Sequence, residues 1–279
     1  MIRRRICGMD VGDGHPARIM GVLNVSPESF YNGSVYIKSD SLKEAAVKLV
    51  AEGADIIDLG AMSTAPYRNT EIPVEKEQKR LVEALKVVRP VVDIPISVDT
   101  KRTEVAEAGL ENGVDMINDV GGMIIDPGMA KLCSDADVPA VVLAQNVIQF
   151  EDPVEAVIRS LEKSLNIASE YHLNDLLLDP AIGFFRDENS DFLKRDLSIL
   201  NGLRRLRVMG LPLCIGISRK SFIGKVLDLK DPNDRLQGSL GATSIAVYNG
   251  AHMVRTHDIS ETIDAVRIAE ALRGEGWDS

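Results

Sequence analysis

The chain has 279 residues, 45% of them hydrophobic, enough for one large α/β domain or two small ones with a substantial core. Its 32 basic and 42 acidic residues give a formal charge of -10, which argues against a general polyanion-binding surface and against nucleic acid as a partner, although a local basic pocket remains allowed. Cys7, Cys133 and Cys214 stand far apart without a CxxC pair, so neither a disulfide framework nor a thiolate zinc site is expected. The basic start "MIRRRICGMDVGDGH" is too interrupted for a signal peptide, and no apolar run reaches about 18 residues; a soluble cytoplasmic chain with no membrane partner is the expectation.

In chain order, residues 1–16 read as an N-terminal extension packed against the main domain. The apolar run "ARIMGVLNV" (17–25) reads as a strand, and "SLKEAAVKLVAEG" (41–53) carries apolar residues at helical spacing, with Ser41 and Glu44 as a capping box and Gly53 as a stop. The same order recurs in "ADIIDLG" before a helix near 74–88, "IPISVDT" before 101–112, and "VDMINDV" before 127–135. It continues with "PAVVLAQ" before 152–170, "DLLLDP" before 190–208, "LPLCIGIS" before an interrupted helical stretch at 219–249, and "HMVRTHD" before 260–273.

Continuous apolar strands alternating with amphipathic helices indicate a parallel sheet covered by helices, and eight such units suit a closed (β/α)8 TIM barrel. A doubly wound open sheet is the alternative. No Pro/Gly/Ser-rich linker divides the chain, so residues 17–279 are expected to form a single barrel domain.

In such a barrel the site lies at the C-terminal strand ends, where this sequence places Asn24, Asp58 with Ser63 and Thr64, Asp99, Asn118 with Asp119, Gln145, Asp179, Ser218 to Ser221, and Arg255 with His257. Taken singly, an Asp or Asn after a strand is most often a turn former or cap. As a set, so many converging carboxylates and carboxamides repel one another unless a ligand or cation satisfies them. Asp99, Asn118 and Asp179 suit the N–H edge of a flat heterocycle such as a pterin or purine. Lys220, Arg255 and His257 supply donors and positive charge for a carbonyl or a phosphate. His15, His172, His252 and His257 show no HxxxH or HxH spacing, and His252 reads as structural; an oxygen ligand such as Asn24 suits Mg²⁺ shared with a diphosphate.

The segments "GVLNVSPESF" (21–30), "DIIDLGAMSTAP" (55–66), "ISVDTKR" (96–102), "INDVGG" (117–122), "DPAIGF" (179–184), "GISRKSFIG" (216–224), "RLQGSLGAT" (235–243) and "VRTHD" (254–258) together resemble the dihydropteroate synthase family. The resemblance implies a (β/α)8 barrel joining 6-hydroxymethyl-7,8-dihydropterin diphosphate to an arylamine, usually p-aminobenzoate, with release of diphosphate. It implies that Asp99, Asn118, Asp179 and Lys220 hold the pterin while Arg255 stacks on it. It also implies that Asn24 meets Mg²⁺, that Thr64, Arg255 and His257 bind diphosphate, and that Phe30, Phe184 and Ser221 line the arylamine pocket. Asn24, Lys220, Arg255 and His257 are then the catalytic set, and a homodimer through the late helices is expected. Arg219 is expected to be a structural cation.

The sequence departs from the family pattern at Ala65, where an arginine is usual, at Met62 for glutamate, at Asn32 for aspartate, at "LAQN" (143–146) for "MHM", and at Arg186 for lysine. These departures touch the leaving-group clamp and the amine side, leaving room for a bulkier, ribosylated arylamine of the kind used in making tetrahydromethanopterin. Two alternatives fit the same residues. One is a pterin- or folate-dependent methyltransferase of the same barrel superfamily; the other is a pterin-binding homologue without turnover.

Overall fold

The computed structural model describes residues 1–26, 39–63, 70–145, 151–185 and 191–274. Phe30, Asn32, Thr64, Ala65, Asn146 and Arg186 therefore lie outside the described residues.

Eight parallel strands form one sheet: β3 (Arg18–Asn24), β4 (Ile56–Gly60), β5 (Ile96–Thr100), β6 (Met116–Asp119), β7 (Ala140–Leu143), β8 (Leu176–Asp179), β9 (Cys214–Ile215) and β10 (Met253–Thr256). The hydrogen-bonded order is β8-β7-β6-β5-β4-β3-β10-β9. A parallel bridge between Leu178 and Leu213, with the Leu178 amide donating to the Pro212 carbonyl at 2.9 Å, brings the two ends of that order together. The sheet is thus a (β/α)8 barrel, and the open doubly wound alternative is excluded.

Helices α1 (Ser39–Ala51), α2 (Val74–Val88), α3 (Thr103–Leu110), α4 (Gly128–Asp135), α5 (Pro153–Glu170), α6 (Phe192–Asn201), α7 (Ser221–Leu227), α8 (Leu236–Tyr248) and α9 (Ile259–Arg273) surround it. Two readings need correction. Helix α1 is already formed at Ser39, so Ser41 lies inside its first turn and does not cap it with Glu44. The helix expected at 190–208 stops at Asn201 and continues as a 3-10 segment over Leu203–Met209, with Asp191 capping α6 through the Lys194 amide. The stretch 219–249 is interrupted as expected: it divides into α7, a 3-10 turn at Pro232–Arg235, and α8, and the break comes at Asp228, in the left-handed region, and at Asp231, whose carboxylate accepts from the Asn233 amide ahead of a proline-led turn.

The first residues form an antiparallel hairpin of β1 (Arg3–Ile6) and β2 (Met9–Gly12). Its Ile6 and Val11 pack with Met20, Ile56, Met116, Val141, Leu177, Cys214 and Met253, all essentially inaccessible, so the hairpin closes the N-terminal end of the barrel. Fully burying each large apolar side chain stabilises by roughly 1.5–3 kcal/mol. Asp13 fastens the hairpin: it accepts from the Ile2 amide, from both Nη atoms of Arg207 at 2.9 and 2.8 Å, and from His252 Nε2 at 3.3 Å. His252 is structural, as expected, its Nδ1 accepting from the Leu213 amide.

Candidate functional site

The polar site follows from strand periodicity. Side chains two residues apart share a face of a strand, and the buried apolar layer of Ile56, Met116, Leu177 and Met253 lies two residues before Asp58, Asn118, Asp179 and Arg255. One step toward the C-terminal mouth, the barrel interior therefore changes from hydrocarbon to charge. Strand pairing sets Gly60 beside Asp99 and Asp99 beside Asn118, so neighbouring strands deliver these groups to one level.

Arg255 organises that level. Its Nε donates to Asp58 Oδ2 at 2.6 Å and its Nη2 to Asp99 Oδ2 at 2.7 Å. Burial opposes the Arg255 charge, but Asp58 and Asp99 more than offset it and hold its pKa above the ordinary guanidinium value. Asp58 also accepts from Asn118 Nδ2 at 3.1 Å and is wholly buried. The mutual repulsion expected of the carboxylates is thus relieved in part by a cation of the chain itself, while Nη1 of Arg255 makes no hydrogen bond among the described residues. Sequence reading placed Asp58 among the polar strand ends but gave it no role; its inward register above Ile56 was the available signal.

Asp179, also buried, is pushed up to about 6 by desolvation, which outweighs the Ala181 amide donating to it at 2.7 Å and the charges of Lys220 and Arg255. Lys220 Nζ lies 5.6 Å from the centre of the Phe184 ring, within cation–π reach. His257 is pushed down to about 3 by burial and by Arg255, Arg219 and Lys220, so its imidazole is neutral. Asn24 closes one side. A Cβ on Gly60 would stand 2.6 Å from Asn24 Oδ1, so any larger residue there would push the carboxamide from its place beside β4.

These groups, Asp58 and Gly60 apart, line a cavity of about 830 Å³, open to solvent, with Met62, Ser63, Val120, Leu143, Ile182, Gly216 and Ser218. Eight expected site residues come together in it: Asn24, Asp99, Asn118, Asp179, Phe184, Lys220, Arg255 and His257. Ser221 does not line it; it begins α7, and its Oγ has no hydrogen-bond partner among the described residues. Met62 and Leu143 are lining residues that sequence reading noted only as departures.

Other strand-end polar residues take the structural reading. Asp119 accepts from the Gly121 and Met123 amides at 2.8 and 2.6 Å, and burial pushes its pKa up to about 7. Gln145 donates to the Val120 carbonyl at 2.6 Å. Arg219 is the structural cation expected: it pairs with both Asp258 oxygens at 2.9 and 2.7 Å and donates to the Pro232 and Asn233 carbonyls. Buried Glu77 accepts from Thr100 Oγ1 at 2.9 Å and from Arg102 Nη1 at 2.6 Å, and Arg102 also donates to the Ile72 carbonyl at 2.8 Å. That network ties the segment entering α2 to the end of β5, next to Asp99.

A pocket at the C-terminal mouth of a (β/α)8 barrel, lined by carboxylates and a carboxamide together with cations, defines an enzyme site for a small, polar and partly anionic substrate. The sequence matches the pterin binding enzyme family over residues 20–257. It is 32% identical over 269 residues to the dihydropteroate synthase of Synechocystis, covering 93% of this chain and 91% of that one. In three dimensions it is similar to a Clostridium difficile dihydropteroate synthase crystallised in the presence of pteroic acid (TM-score 0.85, 34% identity, 95% and 98% of the two chains). A Xanthomonas albilineans dihydropteroate synthase with 4-aminobenzoic acid is similar to the same degree (TM-score 0.85, 31% identity, 97% and 98%). The chain belongs to the dihydropteroate synthases, within the pterin binding enzyme family. It is accordingly an enzyme of the transferase class.

Proposed function

We propose that the chain condenses 6-hydroxymethyl-7,8-dihydropterin diphosphate with 4-aminobenzoate in folate synthesis, releasing diphosphate. The observation that carries this reading is the single layer of Asp58, Asp99, Asn118, Asp179 and Arg255 above the apolar barrel interior. Asn118, Asp179 and Asp99 present acceptors and donors to the pterin edge, and Lys220 adds a donor. Arg255, its plane fixed by two carboxylates, offers a flat face to the ring and its Nη1 edge to the diphosphate. By the family resemblance His257 and Thr64 are assigned to the diphosphate and Phe30, Phe184 and Ser221 to the amine; of the amine set, Phe184 lines the cavity.

Among the described residues no cluster of three or more His, Cys, Asp or Glu side chains could hold a metal. The Asn24 carboxamide oxygen at the cavity wall fits Mg²⁺ as one protein ligand, the remaining ligands coming from diphosphate and water. When bound, Mg²⁺ neutralises charge on the leaving group. The rest of the catalytic task is to stabilise departing diphosphate and a cationic pterin methylene, and to hold a neutral amine nucleophile against that carbon.

Amine choice is the finer part of the reading. Met62, nearly fully buried in the wall, puts a thioether where the family carries a carboxylate, and Ala65 stands where the family carries an arginine. Both changes favour tolerance of a larger, ribosylated arylamine of the methanopterin type beside 4-aminobenzoate. The methyltransferase alternative is not favoured, because the relatives that cover the whole barrel at 31–34% identity are dihydropteroate synthases. A homodimer through the late helices belongs to the same reading; Ile245, Tyr248, Ile268 and Leu272 are exposed on α8 and α9.

Calorimetric titration with the pterin diphosphate, followed by a diphosphate-release assay with each amine, with and without Mg²⁺, tests the proposal and separates binding from turnover. Binding without release for any amine would leave a pterin-binding homologue and overturn the synthase reading.

A further inference from the structure

Ser218 and His257 follow adjacent parallel strands at equal distance: Cys214 of β9 pairs with Met253 of β10, and each of the two residues lies four positions further on. The shared register brings Ser218 Oγ to 2.9 Å from His257 Nδ1, and the same oxygen accepts from the His257 backbone amide at 3.4 Å. Ser218 is buried, and among the described residues its hydroxyl has no other hydrogen-bond partner.

Counting hydrogens decides which imidazole nitrogen is protonated. If Nδ1 carried a hydrogen, Ser218 Oγ would receive two donors and its own hydrogen would be buried without an acceptor, a situation that folded proteins avoid. If Nδ1 is unprotonated, the Ser218 hydroxyl donates to it and both groups are satisfied; the ring hydrogen then sits on Nε2, with the diphosphate as its acceptor. An imidazolium fails the same count, and Arg255, Arg219 and Lys220 oppose its charge.

We infer that Ser218 is a positioning residue that fixes His257 in the neutral Nε2–H form, so that His257 meets the departing diphosphate as a hydrogen-bond donor and not as a proton source. The inference rests on the reading of His257 as a diphosphate contact. It assigns one task to each residue of a buried pair and removes His257 as general acid: the leaving group departs as an anion held by donors, and no proton moves from the ring.

The test uses the full chain labelled with 15N-histidine, the His257 resonances being assigned by their absence in H257Q. The wild type is expected to show a pyridine-type Nδ1 and a pyrrole-type Nε2; the opposite tautomer, or an imidazolium at neutral pH, overturns the inference. S218A should give a mixture of tautomers, raise the KM for the pterin diphosphate about tenfold with little change in the amine KM, and weaken binding of inorganic diphosphate by a similar factor. S218T keeps the hydroxyl and should restore the wild-type tautomer and affinity. If S218A retains a pure Nε2–H ring and unchanged diphosphate affinity, Ser218 does not position His257. The tautomer and the inorganic-diphosphate titration need no turnover, so they stand even if the condensation reading fails, and the thermal unfolding of S218A separates local effects from loss of fold.

Discussion

Replacing Asp58 with asparagine tests the organisation of the site most economically, because the side chain keeps its shape while losing its charge and exchanging one acceptor oxygen for an NH2 donor. Asp58 is wholly buried, with Arg255 Nε at 2.6 Å and Asn118 Nδ2 at 3.1 Å on the same oxygen. Breaking a buried ion pair from one side costs roughly 3–5 kcal/mol, because the remaining charge is left without its partner. Asp99 still compensates Arg255 at 2.7 Å, so the lower end, about 3 kcal/mol, applies. At roughly 2–4 °C per kcal/mol for a domain of this size class, Tm should fall by about 6–12 °C. The KM for the pterin diphosphate should rise about tenfold as Arg255 and Asn118 lose their common anchor, with the amine KM little changed. Differential scanning calorimetry and steady-state kinetics, with the exposed Asp93→Asn as a surface control, measure both effects. A D58N protein that melts within about 2 °C of wild type and keeps its pterin KM would refute the role given to Asp58, since surface changes alone stay near 0.5 kcal/mol.

Two further outcomes rest on the same geometry. With its pKa pushed up to about 6, Asp179 takes up a proton as pH falls through that value, so affinity for a pterin should drop about tenfold per pH unit below it, as logarithmic linkage requires; titration calorimetry across pH 5–8 would show a sloping profile for wild type and a flat one for D179N, and a flat wild-type profile would count against the carboxylate as pterin acceptor. In the unliganded protein the sign is reversed: a raised carboxylate pKa adds stability below the unfolded value, and that contribution is lost as pH rises toward about 6. At the other end of the barrel, Gly12 has φ +138, and a Cβ there would stand 2.2 Å from the Ile2 carbonyl oxygen; G12A should lower Tm by about 2–12 °C through about 1–3 kcal/mol of backbone strain while leaving both KM values unchanged, and altered kinetics would mean that the hairpin communicates with the mouth.

How much was legible in the sequence depended on whether the information was local. The alternation of β-branched and aliphatic runs with amphipathic helices is a period that each segment carries by itself, so the strands around Ile57, Val98 and Leu177 and the helix Val74–Val88 could be read directly. Strand β9 is only Cys214–Ile215, yet its polar exit at Ser218 to Ser221 was still visible, because the change from apolar to polar is abrupt there. What the sequence did not carry was pairing across the barrel. Arg255 meets Asp58 and Asp99 from 197 and 156 residues away, and only closure of the barrel brings them together. The same holds for Asp13 and Arg207, 194 residues apart, whose bond turns an unreadable N-terminal extension into a cap on the barrel floor. Helix ends failed for a different reason: Ser41 and Glu44 have the right spacing for a capping box, but spacing does not say which turn is the first.

The most direct measurement of the central claim is mass-spectrometric detection of product in a reaction containing the purified chain, 6-hydroxymethyl-7,8-dihydropterin diphosphate, 4-aminobenzoate and Mg²⁺. Formation of 7,8-dihydropteroate in step with released diphosphate, dependent on both substrates and lost in K220M, is the predicted result. Diphosphate release that ignores the amine, or no pteroate at any amine concentration, would contradict it.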